Sequence, residues 1–408
     1  MRYNRKGSFE LTRIFLIRHA EAEGNIYRRA HGQFNGQITG NGFRQIELLR
    51  QRFESEKIDA VYSSDLSRAK TTAAAIYVPH ALTLHEERDL REVNVGSWED
   101  RAWGNLLHEY PEMSERFGSD PGKWHTEGSE PYGHVKERMT DVISSIARRH
   151  NNEAVAVFSH GFAIRSFLCG VLGVPSEESY KVQYCDNTAV TLLSYDGGAL
   201  SVDYLGDNAH LTGGSSTFAY QTWWREEKDR RSEDMRYELL DDAEAQGGPG
   251  VKDYAAFLDD ERAGQLALDF GSAAAGNGGK AEGSGTAVSG GKAEGSGTAG
   301  NGGKAEGSGT AVSGASGTND TADGSGSVDG NSAAWIRKIY IKPDFRLRRY
   351  GIQLVGQAVS DSRKLRREKL QVRVPADSPE IGFFLKCGFI KAEDSDSFCV
   401  MQMNVRNW

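Results

Sequence analysis

The chain has 408 residues, which is too long for one ordinary domain and indicates two or three. Its formal net charge of -8 argues against a general nucleic-acid surface and against a basic membrane patch. The four cysteines form no CxxC pair and no metal-ligand spacing, a pattern typical of reduced thiols in the cytosol. No apolar run approaches the ~20 residues of a membrane span, so we expect a soluble, cytoplasmic protein.

The first 210 residues alternate strand and helix patterns. Short apolar, β-branched runs predict strands at 13–17, 59–64, 154–159 and 188–195. Between them, apolar residues recur at helical spacing in 40–55, 66–77 and 135–149. This alternation predicts an α/β sheet with helices on both faces. The glycine pair at 197–198 predicts a hairpin turn into an edge strand.

The rest of the chain divides into a connector, a hairpin, a repeat and a terminal segment. The charged run at 212–235 predicts a connector, and 253–270 reads as a hairpin that turns near Asp259 and Asp260. Within 271–333 the string GGKAEGSGTA occurs three times with a period of 12, and such residues have nothing to bury. Because a lone hairpin is marginally stable, we expect it to pair with strands that follow this disordered, Gly-rich insertion.

Charged side chains and histidines lie at several strand-to-loop junctions of the first part. Arg18 and His19 end the first predicted strand, and His160 ends the third. Arg68 begins the helix after the second strand, and Glu92 lies in the loop string LREVNVGSWED. Ligands of open α/β sheets bind beyond the carboxyl ends of the strands. Together these five residues therefore indicate one active site.

The strings around these residues resemble the histidine phosphatase superfamily, which includes phosphoglycerate mutases and smaller phosphatases. LIRHAEAEGN is similar to LxRHGxTxxN, with Ala20 in place of glycine. HGQFNGQITGNGFRQ is similar to QGxxDxPLTxxGxxQ, with His31 and Asn35 as replacements. YSSDLSRAKTTA, LREVNVGSWED and SHGFAIR match closely, and EGSEPYGHVKERM matches in altered form. The resemblance covers about residues 11–207.

The resemblance implies a three-layer α/β/α, phosphoglycerate mutase-like domain over 1–211 and a phosphohistidine mechanism without a metal. In that mechanism His19 attacks phosphorus and Glu92 protonates the leaving oxygen. The residues that would bind the phosphoryl oxygens are Arg18, Asn25, Arg68 and His160. The expected substrate is a small phosphorylated metabolite, with its pocket formed by 102–130. The resemblance gives no role to the histidines at 31, 125 and 134, which we expect on the surface or in loops.

The string LREVNVGSWED around the acid resembles the compact phosphatases more than the mutases, which favours hydrolysis. A phosphoglycerate mutase-type phosphotransferase and a non-catalytic phospholigand sensor remain as alternative functions. The sequence is also compatible with a homodimer.

The terminal segment resembles the GNAT acetyltransferases. IRKIYIKPDFRLRRYGIQLVGQAV predicts a strand, a basic turn and a helix, similar to the family's phosphate loop [RQ]xxGx[GA]. Arg346 begins that loop and Gly351 ends it, whereas Arg349 replaces the first glycine. FFLKCGF is similar to FYxKxGF, with Phe384 in place of the tyrosine acid.

This resemblance implies a smaller GNAT-like α+β domain over 236–270 and 334–408, with acetyl-CoA bound at Arg346, Arg349 and Gly351. A degenerate domain with a structural or ligand-sensing role is the alternative.

Overall fold

The computed structural model describes residues 11–221, 233–241, 250–271 and 332–406. Most of the predicted Gly-rich insertion and the middle of the predicted connector, at 222–232, lie outside the described residues. Among the helices that are described, none is long and apolar enough to cross a membrane. The described chain forms two sheets, each accompanied by its own helices.

The first sheet has the strand order β3-β2-β4-β1-β5-β6. Its strands are β1 (Thr12–Arg18), β2 (Ala60–Ser63), β3 (Leu84–Glu86), β4 (Ala154–Ser159), β5 (Val190–Asp196) and β6 (Ala199–Asp207). The pairs among β1 to β4 are parallel, whereas β5 and β6 run antiparallel to their neighbours. All four strands predicted from the sequence are present, and Gly197 and Gly198 form the predicted turn with positive φ.

Helices cover both faces of this sheet. They are α1 (Glu23–Tyr27), α2 (Gly40–Arg52), α3 (Ser67–Tyr77), α4 (Trp103–Glu109), α5 (Pro111–Ser119), α6 (Tyr132–Arg149) and α7 (Gly161–Val171). Side chains of β1 alternate between two cores. Ile14 and Leu16 pack with residues of α6 and α7, whereas Phe15 and Ile17 pack with residues of α2 and α3. The first unit is therefore a mixed α/β fold with helices on both sides.

Parallel pairing places the carboxyl ends of three strands at one edge of the first sheet. Arg18 in β1 lies opposite Ser159 in β4, and Ser63 in β2 lies opposite Phe158 in β4. The residues that follow these strands therefore emerge side by side, at the edge where ligands bind in open α/β sheets.

The second sheet has the strand order β12-β13-β11-β10-β9-β8-β7. Its strands are β7 (Arg236–Leu239), β8 (Val251–Leu258), β9 (Glu261–Asp269), β10 (Ala333–Ile341), β11 (Lys369–Pro375), β12 (Ile390–Asp394) and β13 (Phe398–Asn404). Helix α8 (Tyr350–Lys364) joins the parallel pair β10 and β11, and α9 (Glu380–Lys386) follows β11. The predicted hairpin is β8–β9, and β9 pairs with β10 although residues 270–332 separate the two strands in the chain.

The two units share a hydrophobic core. Tyr27 of α1 and Ala102 before α4 are buried together with side chains of α8 and the second sheet. A Cβ atom on Gly356 of α8 would lie 2.4 Å from the Cβ atom of Tyr27, so the two helices approach this closely only because Gly356 has no side chain. The predicted connector is not only a surface segment, because two of its residues are buried. Thr217 is hydrogen-bonded to Gln45 and Glu21 of the first unit, and Met235 packs in the shared core.

Candidate active site

The six residues that the sequence predicts for phosphate chemistry come together at the carboxyl edge of the first sheet. A cavity of about 910 Å³ opens there. The predicted residues that line it are Arg18, His19, Asn25, Arg68 and Glu92. His160 lies directly beside them, with its ring centroid 5.1 Å from that of His19.

The geometry of His19 fixes which ring nitrogen can react. Its Nδ1 atom lies 2.7 Å from the carbonyl oxygen of Ala20. Because a carbonyl only accepts hydrogen bonds, Nδ1 carries the proton and Nε2 keeps its electron pair. Burial, followed by the positive charges of Arg68 and Arg18, holds the pKa of His19 well below its usual value. The imidazole is therefore neutral near pH 7, as a nucleophile must be.

The second histidine, His160, contacts the end of β2. Its Nε2 atom lies 2.8 Å from the hydroxyl of Ser64. Its Nδ1 atom is buried and makes no hydrogen bond to any described residue. Burial and the nearby charge of Arg68 lower the pKa of His160 well below its usual value. A buried polar atom in this state is available to a ligand oxygen.

Backbone carbonyls orient both arginines of the site. Arg68 donates from Nη1 to the oxygen of Phe34 at 2.8 Å and from Nη2 to that of Gly32 at 2.7 Å. Arg18 donates from Nη1 to the oxygen of Cys185 at 2.6 Å, while its buried Nε has no hydrogen-bond acceptor among the described residues. Burial lowers the pKa of Arg68 to about 10, so it stays charged at neutral pH. Two fixed cations thus lie in one cavity.

The carboxyl group of Glu92 is buried against the first turn of α7. It accepts backbone N–H groups from Phe162 at 3.0 Å, Ala163 at 2.8 Å and Val93 at 3.0 Å. These hydrogen bonds favour the ionised form, but burial outweighs them and raises the pKa of Glu92. A carboxyl group with a raised pKa suits proton donation to a leaving oxygen.

The amide of Asn25 is oriented by its neighbours. Its Oδ1 atom accepts from the N–H of Ala22 at 2.9 Å and from Nδ2 of Asn187 at 3.4 Å. The NH₂ group of Asn25 is therefore the end left to donate to a ligand. Asn187 also donates to the carbonyl of His19 at 2.9 Å and is absent from the sequence prediction, because it precedes β5 in a string without a motif.

His31 lies in a loop, which is one of the two positions expected from the sequence, but its side chain is not on the surface. The ring is buried, lines the cavity and places Nε2 3.2 Å from Oδ1 of Asp100. It fits because Gly24 and Gly36 have no side chains; a Cβ on either would lie within 3 Å of Nδ1 of His31. The signal in the sequence is its place within the HGQFNGQ string.

His125 and His134 are exposed, in agreement with the prediction.

Beyond the phosphate end, the cavity wall comes from three segments. The predicted segment 102–130 contributes Trp103, Leu107 and Phe117. The sequence did not indicate the second contribution, from 180–184. Asp234 of the second unit also lines the cavity and accepts from Nε and Nη2 of Arg28 at 2.6 and 3.1 Å. The pocket is thus built by both units.

The residues predicted to bind acetyl-CoA make other contacts in the structure. Arg346 donates from Nε to the oxygen of Ile341 at 3.0 Å. The guanidinium of Arg349 lies 3.4 Å from the ring centroid of Tyr220 in the other unit. A Cβ on Gly351 would lie 3.1 Å from the ring of Phe383 in α9. These contacts give the segment 346–351 packing roles within the fold, and acetyl-CoA binding there stays a prediction.

Within the described ranges, no group of three or more His, Cys, Asp or Glu side chains is placed to bind a metal ion.

Comparisons with known proteins relate the first unit to one family. Residues 14–208 match the model of the histidine phosphatase superfamily, branch 1. Phosphoserine phosphatase 1 of Hydrogenobacter thermophilus is 30% identical over 183 residues, which cover 45% of this chain and 86% of that protein. The metal-independent phosphoserine phosphatase of Arabidopsis thaliana is 33% identical over 163 residues, which cover 38% of this chain and 67% of that protein. A probable phosphoglycerate mutase of Yersinia pestis is 27% identical over 206 residues, which cover 49% of this chain and 95% of that protein.

Proposed function

This chain belongs to the histidine phosphatase superfamily, and on that premise we propose that it hydrolyses phosphomonoesters through a phosphohistidine at His19. The observation that carries the proposal is the state of this ring. Its Nδ1–H is bound to the carbonyl of Ala20, and Nε2 keeps an electron pair beside two buried cations, Arg18 and Arg68.

In the first step, the Nε2 electron pair of His19 forms a bond to phosphorus and the bond to the ester oxygen breaks. Glu92 in its protonated form gives its proton to the departing oxygen, and the alcohol leaves. Arg18, Arg68 and His160 stabilise the negative charge that spreads over the other phosphoryl oxygens. The product of this step is phosphohistidine.

In the second step, water attacks phosphorus and the bond from phosphorus to Nε2 of His19 breaks. The Glu92 carboxylate takes a proton from the water, which regenerates the acid. Inorganic phosphate leaves, and His19 recovers its electron pair. No step requires a metal ion.

We propose a small phosphorylated metabolite as the substrate. The cavity extends well past the cations to an apolar wall that includes Trp103 and Phe117, which leaves room for an organic group. Two relatives are named as phosphoserine phosphatases, so phosphoserine is the first compound to assay. A relative named as a probable phosphoglycerate mutase keeps the phosphotransferase alternative in view. If the protein converts phosphoglycerate into its isomer and releases no inorganic phosphate, that result would favour the phosphotransferase.

The proposal predicts that purified protein releases inorganic phosphate from phosphoserine or p-nitrophenyl phosphate in the presence of EDTA. His19→Ala should abolish turnover and the acid-labile phosphoenzyme, because no other group supplies the nucleophile. His125→Ala, at an exposed histidine, is the matched control and should match wild type. Activity that is lost on chelation and restored by a metal ion would contradict the mechanism. Phosphate binding without any turnover would favour a sensor.

For the second unit, the sequence resemblance to acetyltransferases remains a proposal. The parallel pair β10 and β11, joined by α8 within an otherwise antiparallel sheet, supports it. The engaged guanidinium groups of Arg346 and Arg349 oppose the phosphate-loop role. We therefore propose that any acetyl-CoA binding is weak and that acetyl transfer is not the main function of this unit.

A further inference from the structure

The loop at 31–37 determines how Arg68 is oriented. Both hydrogen bonds of its terminal nitrogens end on carbonyl oxygens of this loop, those of Gly32 and Phe34. A guanidinium held at two points keeps one plane, which is what bidentate binding of a phosphate requires. A movement of the 31–37 loop would therefore turn Arg68 away from its ligand.

Two adjacent carboxylates anchor the 31–37 loop. Glu99 accepts the backbone N–H groups of Gly32, Gln33 and Phe34 at 3.2, 2.7 and 3.0 Å. Asp100 contacts Nε2 of His31 at 3.2 Å. The position of the 31–37 loop therefore depends on the positions of these two carboxylates.

Helix α8 of the second unit holds Asp100. The hydroxyl of Ser360 donates to Oδ2 of Asp100 at 2.6 Å, and Nε of Arg29 donates to Oδ1 at 2.7 Å. Arg29 in turn donates to the hydroxyl of Ser360 at 2.8 Å and to Gln357 at 2.9 Å. All four residues are buried. Burial acts to raise the pKa of Asp100, but the hydrogen bond from His31 and the charge of Arg29 outweigh it, so the carboxylate stays ionised.

A second contact from α8 reaches the other end of the loop. Arg363 donates from its two terminal nitrogens to both oxygens of Glu23, at 2.9 and 3.0 Å. The side chains of this pair are only 8% and 9% exposed. Glu23 also accepts the backbone N–H of Gln37 at 3.0 Å. Residues one turn apart on α8 thus reach both ends of the 31–37 loop.

We propose that Ser360 and Arg363 are positioning residues for the phosphatase site, which act through the 31–37 loop to orient Arg68. The inference rests on the proposed function, because it takes Arg68 to bind phosphate. The family match ends at residue 208, so this support comes from a part of the chain outside the family model. The second unit is then a component of the phosphatase and not an independent module.

The test measures inorganic phosphate binding to the full chain by calorimetry, a readout that does not depend on turnover. Ser360→Ala removes the hydroxyl between Asp100 and Arg29, and we expect phosphate to bind about three- to tenfold more weakly. Ser362→Ala is the matched control, since that buried hydroxyl donates only to the carbonyl of Ala358 within α8. Phosphate should bind to the control as it does to wild type.

A double-mutant cycle separates positioning from general loss of stability. If Ser360 acts through Arg68, then Ser360→Ala should have no further effect on phosphate binding in an Arg68→Ala background. Arg363→Gln should weaken phosphate binding in the same way. This second variant replaces Ser360→Ala in the experiment if Ser360→Ala does not fold. Unchanged phosphate affinity in folded Ser360→Ala or Arg363→Gln would overturn the inference, as would an equal loss in the Arg68→Ala background. Wild type that binds no phosphate would overturn both the inference and the proposed function.

Discussion

Glu92 shows how opposing effects on one residue produce a usable acid. Three backbone N–H groups, two of them in the first turn of α7, favour the carboxylate. Burial favours the neutral acid and prevails, so the pKa is raised. The same N–H groups then stabilise the carboxylate that forms once the proton has left. The residue is thus suited to give a proton and to take one back.

The role of Glu92 as acid predicts a dependence on the leaving group. Glu92→Gln should slow phosphoserine hydrolysis by about a hundredfold or more, because an alkoxide leaves poorly without a proton. p-Nitrophenyl phosphate should be affected far less, since nitrophenolate leaves without help. The check is kcat for both substrates in wild type and variant. An equal loss for both would remove Glu92 from the acid role.

The lowered pKa of His19 predicts the acid side of the pH profile. A histidine at its ordinary pKa of about 6.5 would lose its electron pair to a proton below that pH. Burial and the charges of Arg68 and Arg18 lower this pKa, so kcat for p-nitrophenyl phosphate should persist as the pH falls through 6.5. For phosphoserine, kcat should fall at higher pH, as Glu92 loses its proton at its raised pKa.

Arg68→Met tests the origin of this shift. Removing one cation should raise the pKa of His19 and move the acid limb to higher pH. A wild-type limb centred near pH 6.5, or no movement in the variant, would show that the cations do not keep His19 neutral.

At the scale of secondary structure, the contact of α1 with α8 decides how the two units meet. Helix α1 is only five residues long, yet it carries Asn25 into the site and Tyr27 into the shared core. So short a helix has little stability of its own, and tertiary packing supplies it. Gly356 makes that packing possible by letting α8 approach the ring of Tyr27.

The α1–α8 contact predicts opposite effects for two similar substitutions. Gly356→Ala should destabilise the protein by about 1–3 kcal/mol, because its Cβ would overlap Tyr27. Gly382→Ala in α9 is the control: among the described residues its Cβ would meet nothing within 4 Å, and it should stabilise the helix by about 0.5–1 kcal/mol. Denaturant midpoints of both variants provide the measurement. A neutral Gly356→Ala would show that the helices can separate freely.

At the scale of the whole molecule, one residue of the predicted coenzyme loop, Arg349, joins the two units. Arg349 has a φ of 65°, a conformation in which glycine is favoured, and its guanidinium packs on Tyr220. The hydroxyl of Tyr220 donates to the buried carboxylate of Glu21, two residues from His19. Through Tyr220, the second unit is therefore linked a second time to the segment that contains His19, independently of Ser360.

The position of Arg349 predicts weak acetyl-CoA binding. Calorimetric titration of the full chain should not saturate at micromolar acetyl-CoA, because the guanidinium is engaged with Tyr220. Arg349→Gly should tighten binding, since glycine adopts the positive φ without strain and frees the loop. Saturation of wild type at micromolar concentration, or weaker binding in the variant, would instead identify Arg349 as a phosphate ligand.

The sequence by itself determined five of the six strands of the first sheet, all but β3, and the residues proposed for catalysis. The strands at 13–17 and 154–159 are continuous apolar runs, and a buried parallel strand needs no information beyond that pattern. Arg18, His19 and His160 follow such strands directly, so locating the strands also located the residues. The set of residues proposed to bind phosphate was predictable because each member lies within a short local string.

Only the tertiary structure decided which distant side chains complete the site. His31 depends on Asp100, 69 residues away, and Asp100 depends on Ser360, a further 260 residues along the chain. Arg28 pairs with Asp234 across 206 residues. None of these pairs leaves a pattern in sequence, because a hydrogen bond between distant segments requires only a compatible donor and acceptor. They meet only in the folded chain, and the contact of Ser360 with Asp100 also requires the packing of the second unit on the first.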